Sequence, residues 1–358
     1  MTNLFAIISL LSVAHCIVLQ DHSVSKTVLT GQALVDHINA AQSSWVAEFS
    51  PISESEMKFK VMDSKFAEPQ EEGTQDGVTG YLLPLTFDAR EQWPKCKSIN
   101  LIRDQAYCGA CWAFGAAEVI SDRICIQSNG ARQPVISVED ILSCCGSSCG
   151  NGCQGGYPIE AMRFWNKYGA VTGGDYNGTG CLPYSYAPCA TCNTAKGAPK
   201  CEKVCQSAYT AATYTNDKHY GATSYRLSTT TKYAKMTEDA VSKIQSEIQV
   251  NGPVVASFQV FEDFYHYKSG VYHYVSGQLV GGHAVKIIGW GTENKVDYWL
   301  VANSWGTNFG DGGFFKIRRG TNECNFEMNI VAGMEKSGVK TGFSIFVVLL
   351  SIYYLIGN

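Results

Sequence analysis

The sequence has no excess of positive charge and few charged residues of either sign. Its 358 residues include 28 Lys and Arg against 32 Asp and Glu, which gives a formal net charge of −4, and only 17% of them are charged. Proteins that bind nucleic acid usually present a basic patch, so we expect no nucleic-acid partner. Because 45% of the residues are hydrophobic, intrinsic disorder is excluded too. The length favours about two domains, or one large two-lobed domain.

The sequence also lacks an apolar run of about 20 residues, the usual length of a transmembrane helix. Residues 4–13 are apolar but too few to span, since a transmembrane helix needs about 20 apolar residues. Small residues at Ser12 and Ala14 follow the pattern of a signal-peptidase site, so residues 1–16 are interpreted as a cleaved signal peptide. The alternative is an N-terminal membrane anchor.

A second apolar run, residues 343–357, lies in a C-terminal extension that starts at residue 337 and ends at Asn358. It is uncharged but somewhat short for a spanning helix. Three interpretations stay open: a minimal membrane anchor, a removed GPI signal attached at Ser337 or Gly338, or a terminal element buried in the fold. We favour attachment to a membrane.

Cysteine, in contrast, is abundant. The chain has 15 cysteines, and apart from Cys16 they all lie between Cys96 and Cys324. Such a number indicates an oxidising compartment, so we expect the secretory pathway and, beyond it, a lysosome-like compartment or the extracellular or cell-surface space. The alternative is zinc, because Cys189 with Cys192 and Cys201 with Cys205 have ligand-like spacings. Disulfides are the better interpretation for a secreted chain.

Residues 17–82 contain no cysteine and precede the cysteine-rich part. Thr30 and the sequence GQALVDHINAAQSSWVAEF after it predict a capped helix with Leu34, Ile38 and Ala41 on one face. A small helical segment between a signal peptide and a disulfide-bonded domain is typical of an inhibitory pro-segment. The alternative is a helical arm that simply packs on the domain.

The remaining sequence places helices first and strands later. Residues 111–124 have helical spacing, Ser137 begins a capping box, Pro158 is a good first-turn residue for a helix that ends at Gly169, and Thr237 begins another helix. Four strands are predicted after them, at residues 254–261, 283–290, 298–303 and 313–319. This order indicates an α+β fold with two lobes.

The segment QAYCGACWAFG, residues 105–115, carries the clearest chemical signal. Cys111 would lie where a loop enters a helix, and a helix N-terminus lowers the pKa of a thiol and favours the nucleophilic thiolate. His283, in GGHAV, is the candidate base, and Asn303, in NSWG, could accept the imidazole proton and fix the tautomer. The other histidines of the cysteine-rich region are interpreted as packing residues: His219, His266 and His273.

Six motifs in order give a resemblance to a known family: FDAREQWP at residues 87–94, CGACW, CQGGYP, DKHYG, GGHAVKIIGWG and NSWG. Over residues 83–333 the chain resembles the papain family of cysteine peptidases and, within it, the cathepsin B branch. The resemblance implies a papain-like two-lobed fold in a domain spanning residues 83–336. A helical lobe at roughly 95–205 and a β-barrel-like lobe at roughly 206–333 would leave the active-site cleft between them.

The resemblance also implies roles for individual residues. Cys111 would be the nucleophile, paired as a thiolate with the imidazolium of His283. Asn303 would orient His283, Trp305 would shield their hydrogen bond, and Gln105 with the backbone N–H of Cys111 would form the oxyanion hole. Residues that would contact substrate are Gly155, Gly156, Tyr157, Pro158, Ser257, Gly282, Ala284, Trp305 and Asn329. Of these, Gly155 and Gly156 would pair with the substrate backbone. The pocket for the second residue before the scissile bond would be lined by Tyr157, Pro158, Ser257, Ala284 and Asn329.

Three departures from the cathepsin B pattern bear on specificity. The stretch that corresponds to the occluding loop, residues 188–193, is short and has no histidine, and Asn308 replaces the acidic residue that tethers this loop. We therefore predict a cysteine-type endopeptidase with reduced or absent dipeptidyl carboxypeptidase activity. Asn329 replaces a Glu in the pocket for the second residue before the scissile bond, which predicts apolar side chains over Arg there, because Arg loses its bidentate partner.

The resemblance further implies six disulfides, which are Cys96–Cys125, Cys108–Cys153, Cys144–Cys201, Cys145–Cys149, Cys181–Cys205 and Cys189–Cys192. Cys111 and Cys324 would stay free.

Asn177 is a predicted glycosylation site. We expect no metal or other cofactor, a monomer, and polypeptide substrates with the pro-segment as inhibitor. Two rival hypotheses are an inactive family member that binds peptides, and a cell-surface redox protein with an exchangeable Cys189–Cys192 pair.

Overall fold

The computed structural model describes residues 28–50, 54–68, 74–75, 80–188, 196–227 and 238–336. The predicted signal peptide, the C-terminal extension, Thr237 and the Cys189–Cys192 pair lie outside these ranges. Within them, no helix is both long enough and apolar enough to cross a membrane. The described residues before 83 form a unit that we call the N-terminal arm.

Seven α-helices occur in the described ranges. They are α1 (Gly31–Ala41), α2 (Glu54–Met57), α3 (Ala89–Gln92), α4 (Cys111–Gln127), α5 (Val138–Cys144), α6 (Pro158–Tyr168) and α7 (Glu238–Asn251). The sequence predicted the start of α5 correctly, since the Ser137 hydroxyl accepts a hydrogen bond from the backbone N–H of Asp140 at 2.9 Å. It also predicted both ends of α6, which has Pro158 in its first turn and ends at Gly169 with a φ of 70°.

Ten strands occur in the same ranges. They are β1 (Trp45–Ala47), β2 (Thr74–Gln75), β3 (Phe87–Asp88), β4 (Gly221–Leu227), β5 (Val254–Phe261), β6 (Tyr267–Tyr272), β7 (Leu279–Glu293), β8 (Val296–Ala302), β9 (Phe314–Arg318) and β10 (Ile330–Glu335). The four predicted strands correspond to β5, β7, β8 and β9. All ten strands lie in one sheet. Nine of them follow the order β1-β6-β9-β8-β7-β5-β10-β4-β2, and β3 pairs with β7 beside this path.

The sheet confirms a papain-like α+β fold but not the barrel. Strands β1 and β2 lie at opposite ends of the described sheet and do not pair with each other. The prediction of a β-barrel-like second lobe is therefore wrong in this respect, because the path of hydrogen-bonded strands stays open. Both end strands belong to the N-terminal arm, so the arm extends the sheet at its two edges.

Helix α1 of the arm packs through Leu34, Val35 and Ile38, while Ala41, which the sequence placed on the same face, is exposed. The predicted helix ends earlier than expected. The segment Trp45–Ala47 forms β1, which pairs antiparallel with β6. The Trp45 ring lies 5.2 Å from that of Tyr272, so this short strand gains both backbone pairing and aromatic packing.

Helix α4 is the central element because it packs against β7 and thereby brings together the two lobes. One helix face presents Cys111, Gly115, Glu118 and Asp122, which are spaced as on a single stripe. At Gly115 the strands come so close that a Cβ would lie 3.0 Å from a methyl carbon of Val255. The lobes are therefore held together along the same stripe that carries Cys111.

Further along this stripe an ion network crosses between helix and sheet. The Lys286 amine on β7 is fully buried and lies 2.9 Å from Asp122 and 3.9 Å from Glu118. Burial raises the pKa of Glu118 to about 7, with Lys286 opposing the shift. Lys286 lies three residues after His283, and Asp122 lies on the helix face of Cys111, so the network ties together the two elements that carry the candidate site.

Five disulfides are present within the described residues. They join Cys96 to Cys125, Cys108 to Cys153, Cys144 to Cys201, Cys145 to Cys149, and Cys181 to Cys205. These are the pairs that the resemblance implies, apart from Cys189–Cys192. Because Cys201 and Cys205 are each bonded to another cysteine, they cannot supply two thiolates to zinc. Cys111 and Cys324 are free.

Candidate active site

Cys111 is the first residue of α4 and is completely buried. Backbone groups of Ala284 on β7 and of Met62 on the arm lie near its thiol and act to lower the pKa of that thiol. Burial nevertheless raises the pKa of the Cys111 thiol to about 12. The helix N-terminus lowers a thiol pKa as the sequence analysis assumed, but desolvation outweighs it in this arrangement. Cys111 is therefore a neutral thiol here.

His283 and Asn303 are joined by a hydrogen bond of 2.7 Å between His283 Nε2 and Asn303 Oδ1. The Ser304 backbone N–H also donates to Asn303 Oδ1, at 2.8 Å, which identifies that atom as the acceptor. His283 Nε2 must then carry the proton, so Nδ1 is left as an acceptor. Nδ1 has no hydrogen-bond partner among the described residues, and the Cys111 thiol is not bonded to it in this structure.

The imidazole is shielded from water. The Trp305 ring stacks on it with ring centroids 4.6 Å apart, and both side chains are buried. Burial lowers the pKa of His283 to about 4, with the Asn303 hydrogen bond opposing the shift. Cys111 and His283 are thus both neutral in this structure, in contrast to the ion pair that the resemblance implies.

Gln105 is held rigidly beside Cys111 by three hydrogen bonds. Its Oε1 accepts from the Ser304 hydroxyl at 2.7 Å, so its Nε2 points away from Ser304 as a donor. Nε2 donates to the backbone carbonyl of Cys108 at 2.8 Å and to that of Lys60, on the arm, at 2.9 Å. The indole N–H of Trp305 donates to the same Lys60 carbonyl at 3.2 Å. A carbonyl of the arm therefore takes up the Gln105 donor of the predicted oxyanion hole.

The arm continues across the site from there. Met62 pairs antiparallel with Gly282 through backbone hydrogen bonds of 2.9 and 2.8 Å, and the Asp63 N–H donates to the Gln154 carbonyl at 3.0 Å. Beyond Cys111, the arm's Phe66 ring packs edge-on against Tyr157, with centroids 4.8 Å apart. The arm thus contacts predicted substrate-binding residues on both sides of the thiol.

Gly155 is needed for this close approach. It has a φ of 126°, and a Cβ at this position would lie 2.4 Å from a ring carbon of Phe66 and 2.7 Å from Met62 Cβ. Any side chain would push the arm away from the cleft wall. Gly156, next to it, lies against the Trp112 ring instead, so the two predicted backbone-pairing glycines play different packing roles.

The residues predicted to form the specificity pocket come from β5, β7, the start of α6 and the segment before β10. Ser257 lies opposite Ala284 in the strand register, and its N–H donates to the Asn329 carbonyl at 3.2 Å. Ser257 and Asn329 are buried, and the Ser257 hydroxyl has no partner among the described residues. Pro158, in the first turn of α6, is buried too. No carboxylate is contributed by these residues.

Asp104 and Ser304 were not predicted as site residues, although each lies next to a predicted one. Asp104 precedes Gln105, and its carboxylate lies 3.3 Å from the buried amine of Lys60. Ser304, within the quoted NSWG motif, fixes both Gln105 and Asn303. Their positions next to the predicted catalytic residues were the signal, but adjacency alone does not reveal which way a side chain points.

Two of the histidines interpreted as packing residues contact the arm. His266 Nδ1 accepts from the Ser50 N–H at 3.3 Å, and His273 Nδ1 lies 2.9 Å from the Ser44 hydroxyl. His219 pairs with Ala170 through its backbone, and burial lowers the pKa of its ring.

Asn177, the predicted glycosylation site, lies exposed in a loop. In the described part of the chain, no cluster of three or more His, Cys, Asp or Glu could hold a metal ion.

Residues 83–334, more than half of the chain, match the family model described as papain family cysteine protease. The chain belongs to the papain family. It is 64% identical over 315 residues to cathepsin B-like cysteine proteinase 3 of Caenorhabditis elegans, covering 86% of this chain and 83% of that protein. It is 55% identical over 320 residues to the gut-specific cysteine proteinase of the same organism, covering 88% and 94%.

Solved structures agree with this membership. ProCathepsin B S9 from Trypanosoma congolense matches with a TM-score of 0.72 at 35% identity, covering 86% of this chain and 99% of that one. Procathepsin L 3 of Tenebrio molitor matches with a TM-score of 0.62 at 18% identity, covering 84% and 87%, and shows the fold alone. The chain is therefore a cathepsin B-like cysteine protease of the papain family.

Proposed function

We propose that this protease is an endopeptidase made as a zymogen, in which residues 17–82 are the inhibitory pro-segment. The observation that carries the proposal is the hydrogen bond from His283 to Asn303, under Trp305 and on the strand that packs against Cys111. The hydrogen bond from Gln105 Nε2 to the Lys60 carbonyl supports the zymogen part, because it occupies a donor that a reacting carbonyl needs. The proforms among the structural neighbours support it as well.

After the pro-segment leaves, His283 Nδ1 takes the proton of the Cys111 thiol, and the thiolate attacks the peptide carbonyl. The carbonyl oxygen gains negative charge, which Gln105 Nε2 and the Cys111 N–H stabilise. The imidazolium then gives its proton to the departing amine, and an acyl-enzyme remains. Water, deprotonated by His283, hydrolyses this thioester and restores the thiol. Asn303 keeps the imidazole in the required tautomer throughout.

Space beside Trp305 supports internal cleavage. A cavity of about 580 Å³ lies between the pro-segment and the domain, and it is lined among others by Met57 and Lys60 of the arm and by Pro188, Asn308 and Trp305 of the domain. Residues 189–195 contain no histidine that could hold a substrate's C-terminal carboxylate. The proposed enzyme therefore cuts within chains and releases C-terminal dipeptides poorly.

Neutral residues in the specificity pocket support a preference for apolar side chains before the scissile bond. The pro-segment places the apolar ring of Phe66 against Tyr157. Asn329 offers an amide where a carboxylate would bind Arg bidentately. A substrate with Phe at the second position before the scissile bond should therefore be cut faster than one with Arg.

The test uses processed protein and an internally quenched peptide with an amidated C-terminus, with products identified by mass. We expect internal cleavage that disappears in Cys111→Ala, and Phe preferred to Arg in the pocket. Asn329→Glu should shift that preference towards Arg by about tenfold. Cleavage only of dipeptides from a free C-terminus would contradict endopeptidase action, and absence of cleavage would favour a peptide-binding protein.

We further propose entry into the secretory pathway through residues 1–16, which the five disulfides support because they need an oxidising compartment. Attachment to a membrane through residues 343–357, glycosylation of Asn177 and a monomeric state remain proposals from the sequence. One relative is named gut-specific cysteine proteinase, which supports a protease that acts in the gut.

A further inference from the structure

The pro-segment places a cation in the cleft. The Lys60 amine lies 3.3 Å from Asp104 Oδ1, and the Lys60 side chain is 3% exposed against 23% for Asp104. The amine also lies 5.4 Å from the centre of the Tyr107 ring, within the range of a cation–π contact. Burial lowers the pKa of Lys60, whereas Asp104 opposes that shift. The cation is therefore held by a specific receptor rather than by solvent.

Asp104 is oriented before any ligand binds. Its Oδ1 accepts from the Ala106 N–H at 2.8 Å, and its backbone pairs with Trp305 in an isolated bridge. The neighbouring Arg103 does not neutralise it, because that guanidinium lies 2.7 Å from Asp175. Residues 189–195, next to the cavity-lining Pro188, include no charged side chain. When the pro-segment leaves, Asp104 loses Lys60.

The receptor lies on the leaving-group side of the nucleophile. Along the pro-segment, Phe66 contacts the Tyr157 wall, Met62 approaches Cys111, and Lys60 comes two residues earlier, beside Trp305. Since Tyr157 belongs to the proposed pocket before the scissile bond, Lys60 and Asp104 lie beyond that bond. Asp104 and Trp305 both line the 580 Å³ cavity.

We propose that Asp104 forms a subsite for a basic side chain, Lys or Arg, within the two substrate residues that follow the scissile bond. This inference rests on the proposed peptidase function and adds a substrate preference to it. Tyr265, Trp305 and Phe309 line the same cavity and supply apolar surface for the aliphatic stem of such a side chain. Lys268, which also lines it, pairs with Glu48 of the pro-segment at 3.3 Å.

The experiment compares amidated, internally quenched peptides that share the residues before the scissile bond. They carry Lys, Met or Glu at either the first or the second position after it. Met matches the length of much of the Lys stem without its charge. For processed enzyme we expect kcat/KM for Lys to exceed that for Met by about fivefold at one of these positions, with Glu slowest. Amine departure belongs to the acylation step, so kcat/KM reports it.

Asp104→Asn is the informative variant, because the amide oxygen can still accept from Ala106 while the charge is lost. The ratio of Lys to Met should fall to about one in this variant, and Asp104→Lys should favour Glu. Titration of Cys111 with an irreversible inhibitor corrects for the fraction of active enzyme. Equal cleavage of Lys and Met peptides by active wild type would overturn the inference, as would a Lys preference that persists in Asp104→Asn. Failure to cleave any peptide would instead count against the proposed function.

Discussion

Two buried lysines, Lys286 and Lys60, each pair with an aspartate near the cleft, and their settings differ. The Lys286 amine is fully buried, lies 2.9 Å from an equally buried Asp122, and donates to the carbonyls of Ser98 and Ile99 at 3.2 and 3.4 Å. The Lys60 amine lies 3.3 Å from Asp104, which stays partly exposed. Lys286 has several acceptors inside the domain, whereas Lys60 belongs to the removable arm.

The difference assigns the two pairs to different tasks. The Lys286 pair links the helix of Cys111 to the strand of His283 and involves no residue of the arm. The Lys60 pair joins the arm to the cleft and disappears when the arm leaves. We call Lys286–Asp122 the closed pair, because both side chains are fully buried, and Lys60–Asp104 the open pair, because Asp104 is partly exposed. The closed pair therefore holds the two lobes together, and the open pair marks a site that a ligand can occupy.

The largest effect is expected at the closed pair. Lys286→Met leaves Asp122 buried without its cation, which should lower the free energy of unfolding by about 3–5 kcal/mol. Lys60→Met, the matched change at the open pair, should cost much less because water can reach Asp104. Denaturant unfolding of both variants in a Cys111→Ala background measures the contrast. Equal losses would remove the distinction between the two pairs.

Acid should loosen the arm through His283, whose pKa is lowered to about 4 while the arm covers it. Because the covered imidazole resists protonation, the covered state is most stable above the ordinary histidine pKa of about 6.5, and it loses stability as the pH falls from about 6.5 to about 4. The equilibrium for arm release should therefore rise by up to about tenfold per pH unit within that window.

Proteolytic susceptibility of the arm in Cys111→Ala protein, measured from pH 7 to pH 4, tests this expectation. The Cys111→Ala, His283→Gln double variant is the control and should have a shallower pH dependence. The same slope in both proteins would show that other groups drive the release.

The smallest effect is expected at the open pair itself. Lys60→Met should weaken the hold of the arm and speed processing of the full chain by about tenfold, because a charge-assisted contact is lost. The measurement adds a trace of mature enzyme to full-length Cys111→Ala protein and follows removal of the arm. Lys65→Met serves as a control, since Lys65 is exposed on the same segment. An equal acceleration by both changes would argue against a specific role for Asp104.

Local patterns in the sequence predict the helices and the central strands well. Capping at Ser137 and the Pro158 to Gly169 helix depend on neighbouring residues, and so does the placement of Cys111 at a helix start. Strand β1 was missed because it exists through pairing with β6, more than 200 residues away. The open sheet could not be foreseen either, since closure depends on how distant edge strands meet.

The same limit applies to the site. The motifs located Cys111, His283 and Asn303. They did not predict that Cys111 and His283 are both neutral, because burial depends on residues far away in the sequence. Asp104 carried no motif of its own. Its importance follows from the position of Lys60, which lies 44 residues away in the sequence.

The most direct test of the account is the alkylation rate of Cys111 by iodoacetamide, mapped by mass spectrometry, in full-length and processed protein at pH 5.5. We predict that the buried neutral thiol of the full-length chain reacts at least about a hundredfold more slowly than the thiol of the processed enzyme, because the thiolate is the reactive form. In the processed enzyme, loss of the arm exposes Cys111 and restores its pairing with His283. Equal rates in the two proteins would contradict the claim that the arm covers and silences this site.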